Sequence, residues 1–461
     1  MQSHFHLLFT VFPSVGLIFV LALYVAALVT NNQLFTRICL FVFGCLGVLA
    51  LPSYITGEGA MPQLAGRSFI SKYQVHEHYE WSLAAIAALA VAGLIAWIAL
   101  WRARRAPKVP GAALITVLCL ESVTLTVTAA AAWMGWDINH REFALPTPDM
   151  GTPMTWAHIH VILNHFPTVG FVFALFVFVV GLVRDNAGMK RTGLVTFVIC
   201  AILGAPTYVT GAAAMFALTA PPVEGISKAV INAHRDWAVI SLFGLGATGV
   251  AAWLELWRYR YLARFSKTAL SVVLVLALIT LAVLTVTGIR GGHINHPEIV
   301  AGDLMPTDPT MGWSVWIEQM INNVIWFVPW QTIHFFGYTL VFATVLVVCL
   351  RILGAFKSMS FAAAHRLLPL GVAGVAMNVF TGMLMLMADT GRYVNEPSFW
   401  PKMFFLPIGA MAVLYFSVSN DLWRVKAGDD AAVGAKAIAV LVLTSWIIVI
   451  MGGRLLPYVT L

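Results

Sequence analysis

Charge is what this chain has least of. Only 10% of its 461 residues are Asp, Glu, Lys or Arg, and 60% are hydrophobic. Soluble domains are closer to a quarter charged, so a soluble globular protein is excluded. Cysteine is also scarce. The five present (Cys39, Cys45, Cys119, Cys200 and Cys349) are scattered through apolar runs. No pair has disulfide or metal-site spacing, and there is no C-x-x-C-H for covalent haem attachment. No stretch has the pattern of a hydrolytic or phosphate-binding site, so a stand-alone enzyme is not expected. No basic segment precedes the first apolar run, so a cleaved leader is not expected either.

The apolar residues come in runs long enough to cross a bilayer, which takes about 20 residues each. The sequence predicts an all-α integral membrane protein with twelve spans, at 5–29, 34–55, 79–101, 112–135, 159–183, 192–212, 235–256, 269–289, 332–354, 367–388, 402–419 and 432–452. The net charge of +7 does not point to nucleic acid, because the basic residues gather in short loops between spans. Arg102, Arg104, Arg105 and Lys108 form one such group; Arg258, Arg260, Arg264 and Lys267 form another. This asymmetry sets orientation and predicts both termini on the outer face of a bacterial cytoplasmic membrane.

Residues 1–150 and 151–300 read as a tandem repeat of four spans. "LPSYITGEGA" at 51–60 answers "APTYVTGAAA" at 205–214, and "HYEW" at 78–81 answers "HRDW" at 234–237. "DINHREF" at 137–143 answers "HINHPEI" at 293–299. Residues 301–331 read as an outer linker whose Trp-rich stretch suits an amphipathic interfacial helix. Residues 332–461 read as a third four-helix module that does not repeat the motif order.

Thirteen histidines are many for so apolar a chain. In an up-down bundle, the start of span one, the end of span two, the start of span three and the end of span four share one face. His4, His6, His76, His78 and His140 mark those places in the first repeat; His158, His160, His234, His293 and His296 mark them in the second. A histidine just inside a membrane is costly without a partner. Each repeat is therefore expected to gather histidines from three helix ends at one mouth. Pro13 and Pro167 would bend the helices just below. His165 adds a further imidazole to the second repeat, where the first has Val11.

Imidazoles on different helices of a bundle can ligate haem iron axially, as in b-type cytochromes. They can also hold copper or zinc, or serve as a proton relay or quinone site. Capping of helix ends is the plain structural alternative. Gly57, Gly135, Gly211, Gly291 and Gly292 would let a flat macrocycle approach the backbone, or serve helix packing. Glu58, Glu77, Glu80, Asp137, Asp236 and Glu298 could orient imidazole N–H groups, or be solvated loop charges. Glu121 is alone inside span four, where a carboxylate could handle protons. In the third module, His334, Lys402 and Arg454 share the outer side, and the two cations suit a haem propionate or a quinone oxygen. His365 opens span ten on the other side.

"HIHVILNHFPTVG" together with "TGIRGGHINHPE" resembles an uncharacterised family of bacterial membrane proteins. Its members open on a helix like H-P-L-L-V-H-F-P and close a four-helix unit with T-G-x-x-G-G. His160, His165, Phe166 and Pro167, then Thr287, Gly288, Gly291 and Gly292, carry the match. The first repeat departs from it at Val11 and at "AAWMGWDINH". The third module, with "IHFFGYTLVFATVLVVCLRILG", "FWPKMFFLP" and "SWIIVIMGGRLLPY", resembles a second uncharacterised four-helix family. Neither resemblance implies an activity, and the likeness to cytochrome b is one of pattern.

The sequence therefore leads to one expectation. The protein is a b-type, cytochrome-like electron-transfer subunit of a quinone-linked oxidoreductase, with His-ligated haem b passing electrons between quinone and an outer-face partner such as a c-type cytochrome. The competing expectation is a copper- or other metal-handling membrane protein, with metal at His6, His78, His140, His160, His234 and His296.

Overall fold

The computed structural model describes residues 2–29, 31–64, 72–139, 156–220, 226–295 and 306–456. The described residues are almost entirely helical. Eleven helices are long and apolar enough to cross a membrane, and the apolar part of the first, Pro13–Val29, is a shorter twelfth. The chain is a multi-pass membrane protein. Helix is what such a sequence must form, because each backbone N–H and C=O needs a partner within its own segment once water is gone.

The chain divides into two compact units. The first is a closed bundle of α1 (Gln2–Val29), α2 (Gln33–Leu64), α3 (Lys72–Arg102) and α4 (Gly111–Asn139), packed in sequence with α1 also against α4. The second holds α5 (Trp156–Val183), α6 (Ala187–Thr219), α7 (Lys228–Leu262) and α8 (Lys267–Asn295). It continues with α9 (Trp313–Ile321), α10 (Val324–Leu353), α11 (Phe361–His365), α12 (Leu368–Ala388), α13 (Thr390–Asn395), α14 (Phe399–Val418), α15 (Asn420–Trp423) and α16 (Val433–Leu455). One apolar core joins the repeat and the third module in this unit, with Phe197, Trp253, Val345 and Phe416 all fully or almost fully buried. Trp253 Nε1 donates to Ser417 Oγ across it at 2.9 Å.

The repeats match down to their turns. Between α1 and α2, Asn31 adopts a left-handed backbone at φ 50°; between α5 and α6, Asp185 does so at φ 47°. The next residue caps the following helix in each case. Asn32 Oδ1 accepts from Phe35 N at 3.2 Å, and Asn186 Oδ1 accepts from Met189 N at 2.9 Å. These are the residue types that tolerate φ > 0 and cap helix starts.

The basic loops lie at the end of the helices opposite the histidine-rich openings, and their charges are tied to the backbone. Arg37 donates to Ala103 O and Ala106 O at 3.0 and 2.6 Å. Arg258 makes two 2.7 Å bonds to buried Glu255, whose Oε1 also accepts from Ser266 N at 2.6 Å, closing the α7–α8 turn. His365 is fully buried at this end, with Tyr261 OH 3.0 Å from its Nδ1. As the sequence indicates, it stands apart from His334.

Element bounds differ most from expectation in two places. α2 runs to Leu64 instead of ending near residue 55, and α10 begins at Val324 instead of 332. Asn323 Oδ1 caps Ile325 N at 3.0 Å and starts α10 early. Pro329 is the sixth residue of α10, and its missing N–H leaves the Ile325 carbonyl without a helical partner. The expected interfacial helix is α9, but its apolar side packs on protein. Ile317 and Ile321 meet Met383, Met387, Leu384 and Ala388 of α12, while Trp316 stays exposed.

Candidate functional site

In each repeat the structure brings together two histidines. His6 on α1 faces His78 on α3 with ring centres 6.4 Å apart and ring planes at 73°. His160 on α5 faces His234 on α7 at 6.4 Å and 71°. All four rings are half-buried.

Each ring is seated in the same way. His6 Nδ1 lies 2.9 Å from Ser53 O, His78 Nδ1 3.0 Å from Ala131 O, His160 Nδ1 3.0 Å from Thr207 O and His234 Nδ1 3.0 Å from Thr287 O. A carbonyl only accepts, so Nδ1 carries the hydrogen and the lone pair is left on Nε2. Four residues after each accepting carbonyl comes a glycine: Gly57, Gly135, Gly211 and Gly291. A Cβ at these glycines would stand 2.8, 2.5, 2.7 and 3.1 Å, in that order, from the Cε1 of the seated ring. The glycines therefore make a notch that lets an imidazole lie against the neighbouring helix and reach its carbonyl. They receive the rings. Gly292 has nothing within 4 Å of such a Cβ.

The notch explains the repeated Tyr-x-Thr-Gly pattern. Thr56 Oγ1 donates to Pro52 O and Ser53 O at 2.6 and 3.1 Å; Thr210 Oγ1 donates to Pro206 O and Thr207 O, both at 3.0 Å. The carbonyl that takes the imidazole N–H is thus oriented by the threonine three residues later. Pro167 leaves the Leu163 carbonyl without its helical N–H, and Thr207 Oγ1 of α6 reaches that carbonyl at 3.4 Å.

The ring separation sets what could fit between the imidazoles. An imidazole nitrogen is about 1.2 Å from its ring centre and a metal–nitrogen bond is about 2 Å, so one metal held in line between two rings sets the centres about 6.4 Å apart. Two rings joined directly by a hydrogen bond would have centres about 5.3 Å apart. Both pairs match the first spacing.

Several sequence-expected site residues take no part in a pair. His158 is buried and His165 donates to Val161 O of its own helix at 2.5 Å. Two residues along a helix turn the direction by about 200° and five by about 140°, so both point away from the bearing of His160. His293 is half-buried on α8 and is not one of the two facing rings. His76 is exposed and bridges to Glu80 at 3.3 Å. His140, His296 and Glu298 lie outside the described residues, as do the side chains of His4 and Asp137. Among the described residues, no three His, Cys, Asp or Glu side chains converge as a metal-binding group. Among the described residues, two of the histidines expected in each three-helix cluster form a facing pair. Of the carboxylates expected to orient imidazoles, Glu80 meets His76, which is outside the pairs, while Glu58 accepts from Tyr54 OH at 2.6 Å and Asp236 from Ser314 N at 2.8 Å. Glu121 is buried, but is 14 residues from Gly135 on α4, about 21 Å along the axis, and takes no part in the pair.

The surroundings of the pairs differ. After His78 comes Tyr79, whose hydroxyl lies 3.1 Å from Tyr54 OH, beside exposed Glu58. After His234 comes Arg235, buried against Tyr208 and paired to Glu318 of α9 at 2.5 Å. Asn232 Nδ2 also donates to Pro309 O at 2.8 Å. The segment before α10 is thus clamped onto the residues flanking the second pair.

Sequence reasoning missed a further seat in the third module. His334 Nδ1 lies 2.9 Å from Thr381 Oγ1, and its Cε1 would be 3.3 Å from a Cβ on Gly382. The backbone of Asn378, four residues before Gly382, also bonds this ring. Asn378-Val-Phe-Thr-Gly382 answers Ser53-Tyr-Ile-Thr-Gly57 and Thr207-Tyr-Val-Thr-Gly211. The shared Thr-Gly was the available signal. Lys402 lies along Gly452 and Gly453, and Arg454 is exposed at the end of α16. No family model, curated protein or solved structure matches this chain.

Proposed function

We propose that this is a b-type cytochrome of the membrane, in which each repeat binds one haem between a facing pair of histidines, His6 with His78 and His160 with His234. The observation that carries the reading is the pair geometry. Two imidazoles with Nδ1 held by backbone carbonyls keep the lone pair on Nε2, and their centres stand apart by about the span of one metal and two metal–nitrogen bonds. Histidine ligands typically hold their second N–H in this way. Bound haem would supply a reversible one-electron centre.

Each pair lies at the ends of its own helices opposite the basic loops, so a haem held there would sit toward one face of the membrane. With the basic loops cytoplasmic, that side is the periplasmic face of a bacterial inner membrane, with both termini there. Quinol in the bilayer is the donor that suits this position, and a c-type cytochrome or similar soluble protein the acceptor. The chain then serves as the membrane subunit of a quinone-linked oxidoreductase. The competing reading is copper or zinc handling. Zinc and copper(II) sites call for three or more converging donors, and the described residues offer pairs.

The test is the reduced-minus-oxidised visible spectrum of the purified full-length protein, with haem measured per polypeptide. A low-spin b-type spectrum that loses one haem in His78→Ala and one in His234→Ala supports the proposal. Protein made with ample haem that shows no Soret band, but carries copper or zinc, overturns it.

A further inference from the structure

The third module repeats the plan of the other two with one substitution. In chain order, each repeat has a histidine, the glycine that seats it, a second histidine and the glycine that seats that one. These are His6, Gly57, His78 and Gly135, then His160, Gly211, His234 and Gly291. The third module reads His334, Gly382, Lys402, Gly452. Its helices correspond as well. α10 packs on α12 and α14 on α16, with α10 also against α16, as α1 packs on α4 in the first bundle.

His334 has the same seat and tautomer logic as the other first histidines. Thr381 Oγ1 donates to Met377 O at 2.6 Å and so accepts from Nδ1–H of His334, which leaves Nε2 for a ligand. Lys402 occupies the second place. Its Cβ is 3.0 Å from a Cβ position on Gly452, and its Nζ is 3.5 Å from one on Gly453. The stem therefore lies along α16 as the second histidines lie on their notches, and the amine is within electrostatic reach of His334. Among the described residues no carboxylate pairs with Lys402. An ammonium in a membrane helix without a counter-ion is costly, whereas a neutral amine is a nitrogen donor.

We propose that His334 and Lys402 are the axial ligands of a third haem, distinct from the two bis-histidine haems. The proposal rests on the reading that the imidazole pairs hold haem. It replaces the expectation that Lys402 binds a propionate or quinone oxygen, because the lysine stands in a ligand's place and not at its rim.

Haem per polypeptide and the near-infrared ligand-to-metal charge-transfer band of the oxidised full-length protein test this directly, since amine–imidazole and bis-imidazole ligation absorb at different energies. The wild type should carry three haems, one with the amine–imidazole signature. Lys402→Ala should remove that signature and turn one haem high-spin or lose it. Lys402→His should keep three haems and convert the third to bis-histidine, which also shows that the module folds with a changed ligand. Two haems in the wild type, with spectra unchanged by Lys402→Ala, overturn this inference and leave the proposed function standing. Three haems whose spectra ignore Lys402→Ala overturn the lysine ligand. Absence of haem overturns both readings.

Discussion

The two repeats hold the same pair and differ in what covers it. Ring separation is 6.4 Å in both, with plane angles of 73° and 71°, although no other described histidine is shared between the two settings. The first pair is bordered by a tyrosine pair and an exposed glutamate. The second is bordered by a buried Arg235–Glu318 bridge that fastens α9, and more protein surrounds it. Backbone geometry thus seats the rings, while side chains after the second histidine set access and charge. On the proposed reading, the more open pair would exchange electrons with a docked partner and the covered one inside the protein.

The largest expected effect is loss of one centre at a time. His6→Ala or His78→Ala should remove the haem of the first repeat alone, and His160→Ala or His234→Ala that of the second, each read as haem per polypeptide. If one substitution empties both sites, the repeats are not independent.

Next come the notches, where the repeats differ in clearance. Alanine at Gly135 would put a Cβ 2.5 Å from His78 Cε1, whereas at Gly291 the distance to His234 is 3.1 Å. Gly135→Ala should displace its histidine and lose low-spin haem; Gly291→Ala should keep it. Alanine favours a helix interior by up to about 1 kcal/mol over glycine. Thermal stability measured by circular dichroism should therefore hold or rise while the site is lost, which separates a ligand effect from misfolding.

Much of this was legible in the sequence, and what was not has a physical reason. Long apolar runs and basic loops announce the spans, because bilayer thickness and backbone satisfaction leave little choice. The two matched phrases announce the repeat and place histidines at one end. Sequence could not choose between His158, His160 and His165, because that choice depends on which bearing meets a notch on the next helix. It left the use of the glycines open between a macrocycle and helix packing, because a glycine's use depends on the atom that fills its missing Cβ. It did not find the seat of His334, because Lys402 breaks the histidine pattern and the Gly382 notch shows only in the structure. The start of α10 was misplaced because the Trp-rich stretch is apolar enough to serve either as linker or as helix, and Asn323 decides it.

A smaller effect concerns the cover. Arg235→Ala would release Glu318 and α9 and bring the second pair closer to the first in exposure. Loss of one charged hydrogen-bond pair should speed amide exchange over 313–321 roughly tenfold, in keeping with about 1.5 kcal/mol. The midpoint potential of the second centre should also fall, since a buried cation beside it is removed. Unchanged exchange would mean that the bridge does not hold α9.

The smallest effect is at the matched turns. Asp185, where the first repeat has Asn31, is held below the usual carboxylate range first by its hydrogen bond from Lys190 and then by the charge of that lysine. A depressed folded value means the contribution is present above the unfolded pKa of about 3.9 and is lost as pH falls through the folded value. Asp185→Asn should therefore differ from wild type only slightly near pH 7, as exposed pairs do, and not at all in strong acid. A thermal-melt difference that grows toward low pH would contradict this.

The central claim is that two imidazoles, turned nearly at right angles to one another, clamp one iron in each repeat. Electron paramagnetic resonance of the oxidised full-length protein tests it most directly, because the angle between axial imidazole planes governs the anisotropy of a low-spin ferric signal. Plane angles of 73° and 71° predict strongly anisotropic low-spin signals of the perpendicular type, lost one at a time in His78→Ala and His234→Ala. Low-spin signals of the rhombic, parallel-plane type, a purely high-spin spectrum, or the hyperfine pattern of copper would contradict it.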